Sequence, residues 1–192
     1  MGFNAETADS SGSVVWVFGY GSLLWKTNFP YKRKVIGFVK GYDRRFWQAS
    51  VKHRGTTEMP GRVVTLVKNN EGVTWGIAFE VKPSDVPEVI AYLDKRECGG
   101  YTTQEVTFHP HDPSHREPFK VLVYIATESN PNYLGPQTIE SLATRIVMST
   151  GESGPNTEYV LELAKSMKEI APHVPDEHLY GLSEKVKSLL RT

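Results

Sequence analysis

The sequence has little of several features that define whole classes of protein. Only one of its 192 residues, Cys98, is a cysteine, which excludes an internal disulfide framework and fits a reducing compartment. No apolar run approaches the roughly 20 residues that a membrane-spanning helix needs. Residues 1–13 contain no lysine or arginine and no apolar stretch, so they are not typical of a signal peptide, and we expect a disordered tail. We therefore expect a cytoplasmic protein without a membrane partner, in which residues 14–192 form one domain.

The net charge is zero, but the charges are unevenly distributed along the chain. The segment from Lys26 to Lys68 holds eleven basic and two acidic residues, which leaves eleven basic and twenty acidic residues for the rest. A basic segment can attract an anionic small molecule or contact nucleic acid, and it can equally be an ordinary solvated surface. Phe46 and Trp47 follow an apolar strand pattern, which favours a place in the core over base stacking. We therefore expect no nucleic-acid partner.

The first half of the chain predicts β-strands. The apolar run at residues 14–19 is typical of a buried strand. Residues 69–72 (Asn-Asn-Glu-Gly) separate two further candidates and predict a hairpin, because Asn and Gly tolerate positive φ. The other predicted strands cover residues 34–40, 44–50, 62–68, 73–81, 102–108 and 119–127.

Later segments predict helices. Residues 84–96 and 136–150 repeat apolar residues at the helical spacing, and so do the stretches that follow Asn156 and Asp176. Strands followed by helices, without an internal repeat, predict one α+β domain with helices outside a mixed, curved sheet or barrel. Whether that sheet closes cannot be deduced from these patterns. The candidate capping residues of the helices are Ser84, Gly99, Gly100, Asn156 and Asp176.

The first predicted strand leads directly into the turn Gly19-Tyr20-Gly21-Ser22. Two glycines let the backbone bend sharply and direct successive N–H groups at one point, which favours a carboxylate or phosphate. The turn lacks both the Lys-Ser/Thr pair of a phosphate-binding Walker loop and the third glycine of a dinucleotide-binding fingerprint. Taken alone, it is equally well interpreted as a plain tight turn.

Glu97 has an unusual position for a carboxylate. It falls at the C-terminal end of the predicted helix, where the helix dipole is negative and disfavours an anion. The double glycine that follows, Gly99-Gly100, would let the backbone come close to a ligand. The ordinary alternative is a solvated glutamate beside Arg96.

Seven short motifs follow one another along the chain, and none is specific alone. In order they are Tyr20-Gly21-Ser22-Leu23, Arg44-Arg45-Phe46-Trp47-Gln48, Pro60-Gly61-Arg62-Val63-Val64-Thr65-Leu66, Trp75-Gly76, Tyr92-Leu93-Asp94-x-Arg96-Glu97-x-Gly99-Gly100-Tyr101, Asn130-Pro131-x-Tyr133-Leu134-Gly135-Pro136 and Asn156-Thr157-Glu158-Tyr159. The ordered series resembles the ChaC family of glutathione-specific γ-glutamylcyclotransferases over about residues 15–185. One departure from the family pattern is Cys98, where a lysine, glutamine or aliphatic residue is expected.

The resemblance implies a fold, a reaction and a set of site residues. The fold is a γ-glutamylcyclotransferase-like small mixed β-barrel flanked by helices. The reaction converts glutathione to 5-oxoproline and Cys-Gly without metal or organic cofactor. Separately, we expect a monomer or weak dimer. Glu97 matches the catalytic glutamate. The positions that match the substrate-binding segment, with two looser matches at the end, are Val17, Phe18, Gly19, Tyr20, Gly21, Ser22, Leu23, Arg62 and Tyr159.

Other interpretations of the same residues remain open. Cys98 as a nucleophile would need a histidine base, and no histidine is paired with it by sequence spacing. His109 and His111, with Asp112, could suggest a metal site, but the neighbouring prolines favour an exposed loop. The activity could also extend to other γ-glutamyl amino acids or amines, or the same pocket could serve a non-catalytic interaction protein.

Overall fold

In a computed structural model, which describes residues 14–96, 100–111 and 117–191, strands from both halves of the chain form a closed barrel. Neighbouring strands follow the order β1-β3-β2-β4-β5. The neighbours in that order are antiparallel, and β1 closes the barrel by pairing parallel to β5 at Val17 and Leu122. The predicted mixed barrel is therefore confirmed. The strands are β1 (Val15–Gly19), β2 (Arg33–Ser50), β3 (Gly61–Val81), β4 (Thr102–Pro110) and β5 (Phe119–Ile125).

Four α-helices accompany the barrel within the described ranges, and one buried cluster joins the last three of them to it. Phe18 and Phe46 of the barrel belong to the same buried cluster as Leu142, Leu163 and Leu182 of the last three helices. No helix in these ranges is long and apolar enough to cross a membrane. The helices are α1 (Val86–Arg96), α2 (Ile139–Met148), α3 (Asn156–Ile170) and α4 (Glu177–Leu189), and a small hairpin of β6 (Thr150–Gly151) and β7 (Gly154–Pro155) lies between α2 and α3.

The prediction of a hairpin at residues 69–72 is wrong. The strands predicted on either side of it are two halves of β3, and both halves pair with the continuous strand β2. The four residues bulge from β3 opposite Gly41, whose φ is +84°, and regular pairing resumes at Tyr42 and Lys68. Because β2 supplies backbone partners on both sides, the local preference of Asn and Gly produces a bulge and not a reversal of the chain.

Two of the predicted helix caps are also wrong. Ser84 lies in a 3-10 turn before α1, and its hydroxyl donates to the carboxylate of Asp85 (2.8 Å). Asn156 is the first residue of α3, and its buried side chain accepts from the backbone N–H of Arg62 (2.6 Å) and donates to its carbonyl (2.8 Å). Asp176 does cap α4 as predicted. The amide of Asn156 therefore fastens α3 to the start of β3 instead of capping the helix.

Candidate active site

A cavity of about 320 Å³ opens at the end of the barrel where β1 and β2 finish and β3 begins. Its volume lies within the range of sites for small molecules. Its deep wall is formed by buried and mostly aromatic side chains, namely Phe18, Tyr20, Leu23, Val64, Tyr124 and Tyr159. Its outer wall is polar and exposed and includes Lys26, Asn28 and Lys52.

The structure brings most of the predicted substrate-binding segment into this wall. Lining residues from the prediction are Phe18, Tyr20, Gly21, Ser22, Leu23 and Tyr159. Val17 and Gly19 do not line the cavity, because successive residues of β1 face opposite sides of the sheet. Val17 is fully buried in the core cluster that includes Val89 and Leu93 of α1. A Cβ on Gly19 would lie 2.8 Å from the Cβ of Leu23, so this glycine is needed for packing.

Arg62 is not brought into the cavity wall. Its Nε donates to the side chain of Gln137 (3.2 Å), and a terminal nitrogen donates to the carbonyls of Pro60 and Gly61 (3.0 Å each). Burial, with a smaller effect from Arg145, lowers the pKa of this guanidinium. The motif identified Arg62 as a candidate site residue. The direction of its side chain depends on the packing around it, which the motif does not specify.

Gly21 and Tyr159 meet across the cavity. A Cβ on Gly21 would lie 2.8 Å from the Tyr159 hydroxyl and 2.9 Å from Cγ2 of Val64. The Tyr159 ring is held edge-on against Trp25 (5.3 Å between centroids), with the Arg54 guanidinium 5.8 Å from its centre. Glycine is therefore the residue that lets the Tyr159 hydroxyl reach the turn.

Arg96, the last residue of α1, ties that helix to the same turn. Its guanidinium donates to the Ser22 hydroxyl (2.5 Å), the Lys26 carbonyl (3.1 Å) and the Tyr92 hydroxyl (3.4 Å). The next residue in the sequence is Glu97, the predicted catalytic residue. Residues 97–99, with Glu97, Cys98 and Gly99, lie outside the described residues. The Glu97 assignment therefore stays a prediction.

His53 is a cavity residue that sequence reasoning missed. Its Nε2 lies 3.2 Å from the carbonyl oxygen of Arg96, and its Nδ1 lies 3.3 Å from the hydroxyl of Ser153. Because a carbonyl only accepts, Nε2 carries the proton in this arrangement. Spacing along the chain linked no histidine to Cys98, yet the fold puts His53 beside the residue two positions before it. His53 and Arg96 are 43 residues apart in the sequence, so no local sequence pattern indicated this contact.

Three further tyrosines of the wall have fixed hydroxyl groups. Tyr20 donates to the carbonyl of Tyr124 (2.6 Å), and Tyr124 donates to the carboxylate of Asp94 (2.8 Å). Tyr101 donates to the carbonyl of Val64 (3.1 Å). Tyr101 and Asp94 belong to the motif around Glu97, so this motif could have indicated them as site residues. These bonds fix the shape of the apolar wall.

Comparison with known proteins decides the family. The chain matches the model of the ChaC-like proteins over residues 15–189. The chain belongs to the ChaC family. The glutathione-specific γ-glutamylcyclotransferase 1 of Rattus norvegicus is 49% identical over 184 residues, which cover 95% of this chain and 82% of the rat protein. The glutathione-specific γ-glutamylcyclotransferase of Schizosaccharomyces pombe is 34% identical, covering 97% and 98% of the two chains.

A solved structure supports the same assignment for this ChaC protein. The crystal structure of a γ-glutamyl cyclotransferase specific to glutathione from yeast superposes with a TM-score of 0.83 at 31% identity. The match covers 92% of this chain and 99% of the yeast chain. The barrel and its helices are thus the γ-glutamylcyclotransferase fold that the motifs implied.

The described lining of the cavity includes the positively charged side chains of Lys26, Lys52, Arg54 and Arg96. No Asp or Glu is among the described lining residues. Such a lining suits an anionic small molecule.

The histidines considered for a metal site lie elsewhere, at the far end of β4. His109 stacks on Phe38 (5.2 Å), and burial lowers its pKa. His111 packs edge-on against Trp75 (5.0 Å). The predicted exposed loop is therefore wrong for His109, which is half-buried in β4; Asp112 lies outside the described residues. Among the described residues no group of three or more His, Cys, Asp or Glu side chains could hold a metal ion.

Proposed function

We propose that this ChaC protein degrades glutathione by cyclising its γ-glutamyl group, with release of 5-oxoproline and Cys-Gly. The observation that carries the proposal is the 47–49% identity, over 95% of this chain, to mammalian proteins named glutathione-specific γ-glutamylcyclotransferase 1. The cavity supports it, because it has a suitable volume and a cationic outer wall for an anionic tripeptide.

The substrate contains its own nucleophile. The α-amine of the γ-glutamyl group can attack the γ-carbonyl and close a five-membered lactam, which breaks the bond to the cysteinyl nitrogen. The enzyme therefore has to fold the substrate into the attacking conformation, and effective molarities for such oriented reactions reach about 10⁵ M or more. The packed aromatic wall of the cavity is suited to holding one such conformation.

Two proton transfers accompany this ring closure. The α-amine is an ammonium at neutral pH and must lose a proton, and the departing nitrogen must gain one. One carboxylate can perform both in sequence. We assign this role to Glu97, which follows Arg96 directly in the sequence, and Arg96 is bonded to Ser22 of the turn.

The turn after β1 is proposed to bind the γ-glutamyl group. The N–H groups of Ser22 and Leu23 begin a 3-10 turn, so they have no acceptor within it. These groups would bind the α-carboxylate or polarise the γ-carbonyl, and Tyr159 would add its hydroxyl across Gly21. Phe18 and Tyr20 would form the apolar wall behind the substrate. Neither set of contacts requires a metal or an organic cofactor, and we propose none.

Glu97→Gln tests the catalytic assignment. We expect the variant to keep the wild-type circular dichroism spectrum and melting temperature while losing at least about 100-fold in kcat, since general acid–base catalysis contributes about 10²–10⁴. The assay measures 5-oxoproline and Cys-Gly by mass spectrometry. Release of Cys-Gly by folded Glu97→Gln at the wild-type rate would contradict the assignment.

Cys98→Ala is the matched control, because it changes the adjacent residue and removes the alternative nucleophile. We expect it to retain wild-type turnover. Loss of turnover in this variant, with the fold retained, would favour the thiol mechanism instead. Parallel assays with γ-glutamyl-alanine and γ-glutamyl-lysine measure selectivity, and no 5-oxoproline from any of the three substrates would favour a non-catalytic binding module.

The setting in which the enzyme works is also part of the proposal. We propose that it acts in the cytoplasm as a monomer or weak dimer, without a nucleic-acid or membrane partner. The lone cysteine and the neutral net charge support this setting. Sedimentation of the purified protein over a concentration series would measure the oligomeric state, and fractionation of cells would measure the location.

A further inference from the structure

The cavity changes character from its depth to its mouth. Tyr20 and Tyr159 at its depth are only 6% exposed, and Phe18, Leu23 and Val64 are buried in the same wall. Lys26 and Lys52 at its mouth are exposed. A ligand that spans the cavity would therefore have one end in a packed, mostly aromatic region and the other end at the exposed rim that carries Lys26 and Lys52.

These two lysines differ from the other strong bases of the wall. The Arg96 guanidinium is bonded to Ser22 and to backbone, and the Arg54 guanidinium pairs with Glu158 (3.2 Å) and the carbonyl of Pro155. Within the described part of the chain, neither Lys26 nor Lys52 forms an ion pair. Their ammonium groups are therefore available for a ligand anion.

The backbones that carry the two lysines are nevertheless held in place. The carbonyl of Lys26 accepts from Arg96 (3.1 Å), and the carbonyl of Lys52 accepts from the N–H of Glu152 (2.9 Å). Each lysine thus extends from a fixed point on the rim, so that less chain entropy is lost when its ammonium meets an anion.

Glutathione presents anions at both of its ends. Its α-carboxylate belongs to the γ-glutamyl group, which the proposed function places at the depth of the cavity beside Gly21 and Ser22. The second carboxylate, on the glycine, lies more than about 10 Å away when the tripeptide is extended, because each residue spans roughly 3.3–3.6 Å and the γ-linkage adds to this length. That length takes the glycine from the depth of the cavity towards its exposed rim.

We propose that Lys26 and Lys52 form the subsite for the glycyl carboxylate of glutathione and determine the preference for this tripeptide over γ-glutamyl compounds without a second carboxylate. The inference rests on the proposed function of the same cavity. It also assigns a role to part of the basic segment between Lys26 and Lys68, whose purpose the sequence alone left open.

The test compares glutathione with its C-terminal amide, in which a neutral carboxamide replaces the glycyl carboxylate. For glutathione, we expect Lys26→Gln and Lys52→Gln each to raise KM about two- to fivefold, as for exposed ion pairs, with kcat unchanged. For the amide, we expect the wild-type KM to be higher than for glutathione and both variants to leave it unchanged. The double variant should largely abolish the preference for glutathione.

Lys68→Gln is the matched control, because Lys68 is an exposed lysine of β3 that does not line the cavity. It should leave both KM values at the wild-type level. The inference is overturned if the double variant keeps the wild-type KM for glutathione, or if KM for the amide rises by the same factor. A wild-type enzyme that makes no 5-oxoproline from glutathione would instead refute the proposed function, and the subsite with it.

Discussion

Burial of a neutral histidine makes the stability of this protein depend on pH. His178, in the first turn of α4, accepts a hydrogen bond at Nε2 from the backbone N–H of Phe46 in β2 (3.1 Å). Burial lowers the pKa of His178 from 6.5 to about 4; Arg45 adds to the effect, while Asp176 and Asp43 oppose it. The imidazole must therefore be neutral for α4 to pack on the barrel in this way.

The size and sign of the effect follow from the two pKa values. Above pH 6.5 the histidine is neutral in the folded and unfolded chains, and its full contribution to stability is present. Between pH 6.5 and about 4 the unfolded chain binds a proton that the folded chain does not, so stability falls with pH. One pKa unit is worth about 1.36 kcal/mol, so the total loss is about 3 kcal/mol, of which about 2 kcal/mol is lost by pH 5.

Urea unfolding of the wild type and of His178→Gln at pH 7.5 and pH 5 measures this loss. A glutamine can present its side-chain oxygen to the N–H of Phe46, but it does not titrate. We expect the free energy of unfolding of the wild type to fall by about 2 kcal/mol more than that of the variant over this range. Parallel losses in the two proteins would refute the reasoning, because other groups would then account for the whole pH dependence.

Two further substitutions probe the join between α3 and the barrel. Asn156→Ala leaves the buried N–H and carbonyl of Arg62 without their partner, so urea unfolding should show a loss of about 2–5 kcal/mol; a loss below 1 kcal/mol would mean that water replaces the amide. Gly21→Ala puts a methyl group 2.8 Å from the Tyr159 hydroxyl, so turnover of glutathione should fall at least about tenfold in a folded protein. The effect of Gly21→Ala should be smaller in a Tyr159→Phe background, where the hydroxyl is absent, and an equal fold-loss in both backgrounds would argue against this cause.

Much of the fold could be predicted because it depends on local patterns. The apolar run of β1 and the helical spacing of α2 and α4 each lie within a short stretch, and the structure confirms these elements. Asp176 caps α4 as expected, since a cap contacts residues only three positions away. The motif order also led to the family, which the comparisons confirm.

Other parts of the candidate site depend on partners that are distant in the sequence. The 69–72 stretch has the composition of a hairpin, and only the continuous pairing of β3 with β2 makes it a bulge. Asn156 is of a residue type that commonly caps helices. Its side-chain amide instead forms two hydrogen bonds with the backbone of Arg62, 94 residues earlier in the chain.

The sequence by itself determined the strand and turn that lead to Ser22, the helix that leads to Glu97, and the family to which both motifs belong. The tertiary structure decided which side chains meet: it turned Arg62 away from the cavity and brought in His53, whose contact with Arg96 spans 43 residues. The reason is physical, because periodicity and turn chemistry act over a few residues, whereas the direction of a side chain depends on neighbours that arrive only when the barrel closes.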